Sequence, residues 1–261
     1  MIAGSNMARS DQEEFRSIID DNTSGSVELS MRVFSFLHRH PERRYYETIL
    51  ESFVGMALVR NAARIAISDP DMSPDNFRDI MLTQERKSIE NALNGIDAEA
   101  ITTMSNSHNV REFISSSDSI KRVYVLESRP MLEGRIMAKT LYESGKDVYL
   151  VTDAEMCLAL SMSDAVVVGS DSVLSDLTLI HKVGTLPLAI CAYSNGLPFY
   201  SITMSMKFEQ DYKSKDYPEF RQHPCSEMGY DGKCLNVYFE KTGSAYISAF
   251  FSDTGAIHGH R

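Results

Sequence analysis

Apolar residues in the first third of the chain recur with the spacing of amphipathic helices. The segment SVELSMRVFSFLHRH carries an apolar residue every three or four positions and is followed by Pro41. A more apolar run, YYETILESFVGMALVRNAARIAI, predicts one further long helix. A third helix is predicted in FRDIMLTQERKSIENAL, which ends at the breaker Asn94-Gly95. These runs predict a helical domain over residues 1–98.

After residue 98 the pattern changes to short apolar runs separated by helical stretches. The runs are AITTM, RVYVLES, DVYLVT, AVVVGSDSV and PFYSITMSM. Alternation at intervals of about 20 to 25 residues is typical of βαβ units. Residues 99–261 are therefore expected to form a Rossmann-like, doubly wound and mainly parallel sheet. The fold class is α/β, with an N-terminal helical domain followed by this sheet.

Two helical stretches of the second domain carry more detailed predictions. RPMLEGRIMAKTLYESG is expected to turn Leu132, Ile136, Met137 and Leu141 toward the sheet. The closing segment, CLNVYFEKTGSAYISAFFSDTG, reads as one extended stretch followed by a short apolar helix. Its neighbouring phenylalanines indicate packing or an interface.

Composition and charge restrict the function classes. The chain has 261 residues, of which 43% are hydrophobic and 24% charged, with a formal net charge of -10. This charge argues against broad electrostatic binding to nucleic acid. The opening residues MIAGSNMARSDQEEF lack the apolar core of a signal peptide, and no run approaches the roughly 20 apolar residues of a membrane span. The expected location is cytoplasmic, with no membrane partner.

The cysteines and the missing motifs bear on metals and cofactors. The four cysteines are Cys157, Cys191, Cys225 and Cys234, with no CxxC pair, so reduced core thiols are expected. Cys225 and Cys234 could join His258 and His260 in a metal site, but their spacing matches no closed zinc pattern. GxGxxG, GxxxxGK[ST] and HExxH do not occur. Neither a metal nor a cofactor is predicted.

Candidate chemistry lies where the predicted strands end, because open α/β sheets bind ligands outside the carboxyl ends of their strands. The polar residues at these ends are Ser105, Asn106, Arg129, Asp153, Asp171 and Lys207. Asp171 follows a strand too apolar to be exposed, so its carboxylate is either satisfied by backbone donors or stands in a pocket, and the pocket is favoured. Together with Lys182 and Lys207, it predicts a pocket for an anionic polar ligand such as a phosphorylated sugar or a nucleotide.

Purely structural roles remain open for several of these residues. A Ser-Asn pair often caps a helix, and for Asp153 a helix cap is the favoured interpretation. Arg129 can pair with Glu133 on the following helix. Arg135, with Lys139 nearby, can belong to a solvated face.

The same residues lie in blocks that together resemble one superfamily. The blocks are ITTMSNS, YVLESRPMLEGRIMAKTL, VYLVTDAEM, AVVVGSDSV, HKVGTLPLAI, LPFYSITMSMKFE and NVYFEKTGSAYISAFFSDTG. In this order they resemble the regulatory subunits of translation initiation factor 2B, methylthioribose-1-phosphate isomerase and archaeal ribose-1,5-bisphosphate isomerase. The resemblance covers roughly residues 100 to 255 and is looser in the N-terminal helices.

For the isomerases, the resemblance implies an aldose-to-ketose conversion by a cysteine after the first strand and an aspartate after the fourth. Asp171 matches the aspartate, whereas Ser105 stands where the cysteine is expected and Met104 replaces a histidine. A thiol titrates near pH 8.5, whereas a serine hydroxyl needs an activating base. No such base is evident nearby in the sequence.

The resemblance also implies groups that hold phosphate. These are Arg129, Arg135, Lys182 and Lys207, with His181-Lys182 in place of an asparagine-lysine pair and with Gly134 and Gly184 matching glycines of the blocks. In the N-terminal domain, Asn22-Thr23-Ser24-Gly25-Ser26 resembles an arginine-glycine phosphate site without its arginine. Backbone amides at the start of the following helix would still attract an anion.

Three hypotheses follow from these residues. The first is a regulatory protein that resembles an initiation factor 2B subunit, binds a sugar phosphate or nucleotide, and forms a homodimer or larger assembly, with a possible partner in translation. The second is an isomerase acting on ribose 1,5-bisphosphate or a related phosphosugar, with Asp171 as the acid/base group and Ser105 beside it. The third is an interaction protein with a vestigial pocket, in which Asp171 and Lys182 form a structural pair.

Overall fold

The computed structural model describes residues 9–21 and 24–259. The helices are α1 (Arg9–Ile19), α2 (Ser26–Arg39), α3 (Arg43–Ser52), α4 (Ala57–Ser68), α5 (Pro74–Gly95), α6 (His108–Ser116), α7 (Gly134–Glu143), α8 (Met156–Leu160) and α9 (Thr185–Ser194). The strands are β1 (Ala100–Thr103), β2 (Arg122–Leu126), β3 (Asp147–Val151), β4 (Ala165–Val168), β5 (Ser172–Leu174), β6 (Leu179–Lys182), β7 (Phe199–Ile202), β8 (Phe208–Glu209), β9 (Phe239–Thr242), β10 (Ala249–Ser252) and β11 (Gly255–His258).

The chain divides into two compact units, Met1–Met81 and Leu82–Arg261. The division falls within α5. A domain boundary near residue 98 stays a prediction. None of the helices in the described ranges is long and apolar enough to cross a membrane.

Aromatic side chains form much of the core of the first unit. The rings of Phe34 and Phe77 stack with their centroids 4.3 Å apart, and Phe36 meets Tyr45 edge to face at 5.3 Å. Phe34 is fully buried, as the helical spacing predicts. Phe36 is fully buried too, although it points to the other side of the helix, so α2 is packed on more than its predicted apolar face.

One long helix predicted in the first unit is instead two helices. α3 ends at Ser52 and α4 begins at Ala57. Between them Gly55 adopts a left-handed conformation with φ 99°, which breaks the helix at little cost for glycine. The apolar spacing continues across the break, and for this reason periodicity alone does not reveal it.

The second unit is built on a mainly parallel sheet. Among the described residues, seven strands form it in the order β11-β10-β7-β4-β1-β2-β3. Every neighbouring pair is parallel except β10 and β11. The predicted α/β class with a mainly parallel sheet is thus confirmed.

Helices cover both faces of this sheet. On one face, Phe113 of α6 and Met137 of α7 pack in a core cluster with Val167 of β4. On the other, Leu188 of α9 packs in a second cluster with Val166 of β4. Because neighbouring residues of a strand point to opposite faces, the fully apolar β4 serves both clusters.

The inward face of α7 differs from the prediction at two positions, because Leu132 lies in the turn before the helix with φ 60° and Ile136 points outward. Met137 and Leu141 are fully buried, but Ile136 is 57% exposed. Ala138 is buried in its place. The helix starts only at Gly134, so its face is rotated from the one expected for a helix beginning at Pro130.

A second, smaller sheet lies downstream of β4. Within the described part of the chain its four strands are ordered β8-β5-β6-β9. The run AVVVGSDSV, expected as one strand, supplies β4 to the first sheet and β5 to the second. β6 and β9 pair antiparallel with His181 opposite Glu240, which positions β6 for the site described below.

The closing segment contains a hairpin in place of the predicted short helix. Residues 249–252 form β10, which pairs parallel with β7 and antiparallel with β11. Phe250 and Phe251 are buried and pack in the core clusters on opposite faces of the sheet. Two adjacent phenylalanines facing opposite ways are a strand signal that the helical interpretation missed.

Both cysteine pairs are disulfides, which corrects the expectation of reduced thiols. Cys157 of α8 is bonded to Cys191 of α9, with 5.8 Å between their Cα atoms. Cys225 is bonded to Cys234 in the irregular segment between β8 and β9, with 5.7 Å between their Cα atoms. Both separations are ordinary for disulfides. The fold brings the two cysteines of each pair together, and the spacing of the cysteines in the sequence does not reveal this.

Candidate functional site

The central candidate residues lie where the strand order reverses. From β1 the sheet is extended by β2 and β3 on one side and by β4 and β7 on the other. Open α/β sheets bind ligands at such a reversal, beyond the carboxyl ends of the strands. Ser105 follows β1 and Asp171 follows β4, so these two residues border the expected ligand position.

Asp171 is partly buried in the turn between β4 and β5. Its backbone amide donates to the carbonyl oxygen of Ile180 at 2.9 Å, which ties the turn to β6. Burial raises the pKa of the Asp171 carboxyl from its ordinary 3.8 to about 6, opposed by the cations Lys207 and Lys182 and reinforced by Glu133. A carboxyl with this pKa can exchange a proton near neutral pH, as a general acid or base must.

Lys207 provides a buried cation next to Asp171. It ends a short 3₁₀ turn after β7, and its Nζ donates to the carbonyl oxygen of Ser170 at 2.7 Å. Burial lowers the pKa of Lys207, whereas the charges of Asp171 and Glu85 raise it. A buried ammonium with one carbonyl contact has two further N–H donors for other acceptors.

Ser105, Glu133 and Lys182 form a connected group. The backbone of Ser105 is in the left-handed conformation with φ 65°, and its amide donates to Ser128 Oγ at 2.7 Å. Its hydroxyl donates to Glu133 Oε1 at 3.3 Å. The same carboxylate oxygen lies 2.5 Å from Lys182 Nζ. We call these three residues the Ser105–Glu133–Lys182 group.

His181 is a neutral, buried histidine. Burial, with further contributions from Lys182 and Lys207, lowers the pKa of its imidazole to about 3. Its Nδ1 lies 3.0 Å from Thr185 Oγ1, and that hydroxyl donates to the carbonyl oxygen of Lys182 at 2.6 Å. The Nδ1–H therefore donates to Thr185, and His181 carries no positive charge for a phosphate.

Gly184 precedes α9 in a left-handed conformation with φ 104°, which glycine adopts readily. Its amide donates to Glu240 Oε1 at 2.6 Å, and the amide of Leu186 donates to the same oxygen at 2.8 Å. Burial raises the pKa of Glu240, although these backbone donors oppose that shift. The start of α9 is thus capped by a carboxylate of the chain itself.

Gly134 marks a close approach between α7 and the end of β2. A Cβ atom at this position would lie 1.8 Å from the carbonyl oxygen of Leu126, which no real structure tolerates. The missing side chain lets the start of α7 sit directly against the strand. Glu133, immediately before it, is thereby held at the edge of the sheet.

The other predicted groups lie farther out in the second unit. Arg129 is exposed, with its guanidinium 3.5 Å from the carbonyl oxygen of Met228. Arg135 is exposed and pairs with Glu127 at 2.8 Å. Asn106 Oδ1 accepts from the guanidinium of Arg111 at 3.4 Å. Their roles toward a ligand stay predictions.

Asp153 supports a loop and does not cap its own helix. Its two carboxylate oxygens accept the backbone amides of Ser128 at 2.9 Å and Arg129 at 2.7 Å. Both oxygens are therefore engaged in fixing the segment that follows β2. Through Ser128, this loop in turn holds the backbone of Ser105.

The predicted N-terminal anion site belongs to the first unit. Ser24 donates its amide to Asp21 Oδ1 at 2.9 Å, Gly25 precedes α2, and Ser26 is the first residue of that helix. Asn22 and Thr23 of the same motif lie outside the described residues, as does His260 of the alternative metal site. A phosphate at these residues stays a prediction.

Sequence reasoning missed two carboxylates that organise the site. The sequence suggests Arg129 as the partner of Glu133, whereas Glu133 pairs with Lys182, and nothing in the sequence singles out Glu240. Tyr238 was also missed, although Lys182 Nζ lies 5.0 Å from the centroid of its ring. All three residues lie within blocks of the family resemblance, and this position is the sequence feature that could have marked them as site residues. The blocks do not indicate, however, which residues meet in space.

The fold and this site define a doubly wound α/β protein with charged side chains at its topological switch point. The Initiation factor 2 subunit family matches residues 74–259, which is more than half of the chain. The chain therefore belongs to the Initiation factor 2 subunit family.

Relatives within the family carry two kinds of name. The chain is 31% identical over 170 residues to "Ribose 1,5-bisphosphate isomerase" of Methanocaldococcus jannaschii, covering 62% of this chain and 55% of that protein. It is 32% identical over 136 residues to "Putative translation initiation factor eIF-2B subunit 2-like" of Pyrococcus furiosus, covering 52% and 48%. It is 32% identical over 148 residues to "Methylthioribose-1-phosphate isomerase" of Thermotoga neapolitana, covering 52% and 43%. The chain thus spans about half the length of the curated relatives it matches.

Solved structures share the fold over nearly the whole chain. The translation initiation factor eIF-2B of Pyrococcus horikoshii OT3 superposes with a TM-score of 0.83 at 23% identity, covering 97% of this chain and 98% of that one. A chain of the tetrameric eIF2B-beta2-delta2 complex from C. thermophilum gives a TM-score of 0.73 at 17% identity, covering 97% and 94%. At these identities the likeness is one of fold.

Proposed function

We propose that this chain is a regulatory protein like the initiation factor 2B subunits, which binds a phosphorylated sugar or a nucleotide beyond the carboxyl ends of β1 and β4. The observation that carries the proposal is the pair of buried lysines, Lys182 and Lys207, next to the Asp171 carboxyl. Burying an ammonium group is costly unless an anion compensates it; Lys182 is paired with Glu133, whereas no carboxylate of the described residues forms an ion pair with Lys207. A phosphate ligand supplies such charge where the sheet topology favours binding.

The isomerase names among the relatives support a second candidate function. An aldose-to-ketose conversion moves protons between neighbouring carbon and oxygen atoms of a sugar, so it requires an acid/base group near neutral pKa. Asp171, with its pKa raised to about 6, has this property. The serine in place of a thiol disfavours the reaction, because a serine hydroxyl is a much weaker acid.

Both candidates are tested by replacing Lys207, which each of them uses to hold phosphate. The substitution Lys207→Met keeps a long side chain but removes its charge. The binding free energy for ribose 1,5-bisphosphate or AMP should therefore weaken by about 1.5 to 3 kcal/mol, the value of a charge-assisted hydrogen bond. Isothermal titration calorimetry measures the change directly.

The matched control for Lys207→Met is Lys233→Met, at an exposed position. That substitution should leave the affinity unchanged. Equal affinities for the wild type and Lys207→Met would remove Lys207 from the ligand site, provided that circular dichroism shows both proteins folded.

We also propose that the chain forms a homodimer or a larger assembly through its second unit and that, in its regulatory function, it contacts a partner from the translation machinery. Exposed apolar side chains on and beside α8 and α9 support this: Leu158, Met162, Ile190 and Tyr193. The Cys157–Cys191 disulfide joins the two helices, so these exposed side chains lie on neighbouring elements that are held together. We call the exposed side of these elements the α8–α9 surface.

A further inference from the structure

Among the described residues, Glu133 is the carboxylate that contacts both the candidate acid/base residue Ser105 and the buried Lys182. Its Oε1 lies 2.5 Å from Lys182 Nζ and accepts from Ser105 Oγ at 3.3 Å. Its Oε2 is buried and has no hydrogen-bond partner among the described residues. An unpaired buried carboxylate oxygen costs free energy, and a ligand that donates to it would recover that cost.

The charge of Glu133 determines what can approach Lys182. A phosphate group that binds to this lysine must either displace the Glu133 carboxylate or lie next to it, and like charges at this distance repel. The charge of Glu133 also raises the pKa of Asp171, so the two acids influence each other electrostatically. Of the two buried lysines, only Lys207 is free of such a carboxylate ion pair within the described residues.

The hydrogen-bonding chemistry of Glu133 points to a donor. An ionised carboxylate only accepts hydrogen bonds, and a phosphate dianion has no proton to give. Sugar hydroxyl groups donate readily, so a hydroxyl would satisfy the unpaired Oε2. A hydroxyl of a sugar phosphate therefore suits this position better than its phosphate.

We infer that Glu133 is a specificity-determining residue, which accepts a hydrogen bond from a sugar hydroxyl and excludes phosphate from Lys182. The inference rests on the proposed binding of a phosphorylated sugar and adds how the ligand is oriented: its hydroxyl-bearing part lies at the Ser105–Glu133–Lys182 group, and its phosphate lies toward Lys207. Gly134 and the left-handed Ser105 hold this group in place before a ligand arrives.

The experiment compares the wild type with Glu133→Gln by calorimetry, using inorganic phosphate and ribose 1,5-bisphosphate as separate probes. Glutamine keeps the shape but removes the charge, so Lys182 becomes available to anions. The affinity for inorganic phosphate should rise about tenfold, which corresponds to about 1.4 kcal/mol. The preference for the sugar bisphosphate over phosphate should fall by at least the same factor.

Further variants separate this role from a structural one. Glu143→Gln, at the other end of α7 and in an exposed pair with Lys139, should change neither affinity. Glu133→Asp keeps the charge and should keep phosphate excluded. Adding Lys182→Met to Glu133→Gln should abolish the gain in phosphate affinity, because the lysine is the group released.

The outcomes distinguish the inference from the proposed function. An unchanged or weaker phosphate affinity in a folded Glu133→Gln overturns the role of Glu133, while binding of ribose 1,5-bisphosphate by the wild type would leave the proposed function standing. Conversely, a gain in phosphate affinity without any binding of sugar phosphates or AMP by the wild type supports the exclusion of phosphate and overturns the proposed function.

Discussion

At the scale of residues, the candidate site is a set of buried or partly buried charges of both signs. Asp171 and Glu133 supply carboxylates, and Lys182 and Lys207 supply ammonium groups. Each charge compensates a neighbour, and removing one leaves another uncompensated in a region of low dielectric constant. Function and stability are therefore coupled at these four positions.

The raised pKa of Asp171 predicts a particular pH dependence of stability. Between about pH 4 and pH 6 the folded chain retains a proton on this carboxyl that the unfolded chain has released, so stability falls as the pH rises through this window. The loss should amount to about 2 to 3 kcal/mol, at about 1.4 kcal/mol for each pH unit between the two pKa values. Above pH 6 it is complete.

Urea unfolding of the wild type and Asp171→Asn at several pH values isolates this contribution. The free energy of unfolding of the wild type, minus that of the variant, should decrease from pH 4 to pH 6 and then level off. Asp231→Asn, at an exposed position, serves as the control and should show a flat difference. A flat difference for Asp171→Asn as well would mean that its carboxyl has an ordinary pKa in the folded chain.

At the scale of elements, the loops after β1 and β2 hold the site residues. Ser105 and Ser128 both adopt left-handed conformations, with φ 65° and 64°, and Ser128 Oγ accepts the amide of Ser105. Asp153 holds the second loop through two amides. Non-glycine residues in this region carry backbone strain of the order of 1 kcal/mol or more, and it persists only where surrounding contacts require it.

Gly134→Ala tests the close approach of α7 to β2. The added methyl group meets the backbone of Leu126, so the helix start must move, and the free energy of unfolding should fall by about 1 to 3 kcal/mol or more. Because Glu133 moves with it, ligand affinity should fall too. Chemical denaturation and calorimetry measure the two effects.

The control for this substitution is Gly243→Ala, in the same unit. Gly243 has an extended backbone and no atom within 4 Å of an added Cβ. Its replacement should leave both stability and affinity nearly unchanged. Equal stability for Gly134→Ala would show that α7 can shift without cost.

The elements were predictable from sequence where one period dominates. β1 to β4 and β7 were found because each is a short apolar run between helical stretches. The helix break at Gly55 was not predictable, because the apolar spacing continues across it. The strand β10 was not predictable either, because such a short apolar run fits a helix as well as a strand. Tertiary pairing with β7 decides the conformation of β10.

The site itself was predictable only in part. The rule that ligands bind at strand ends directs attention to Asp171 and Lys207, because each follows an apolar strand. Glu133 and Glu240 belong to a loop and to a half-buried strand, where acids are most often solvated. Their contacts with Lys182 and with the start of α9 depend on how distant segments pack, which spacing within one segment does not reveal.

At the scale of the whole molecule, the α8–α9 surface predicts self-association. Light scattering coupled to size-exclusion chromatography should give at least twice the 29.3 kDa mass of the chain. Replacing Leu158 and Ile190 together by glutamate should yield the monomer, because charges at a buried interface are costly. Lys139→Glu, at an exposed position of α7, serves as the control and should leave the mass unchanged. A wild type that elutes as a monomer would contradict the proposed homodimer.

The measurement that tests the central claim most directly is calorimetric titration of the full chain with ribose 1,5-bisphosphate and with AMP, while NMR follows any ketose formed. The account predicts saturable binding of at least one of them, weakened by Lys207→Met and altered by Asp171→Asn; turnover in the wild type that is lost in Asp171→Asn would assign the isomerase function. No binding of either compound, or binding that both variants leave unchanged, would contradict a phosphate-ligand site at the carboxyl ends of β1 and β4.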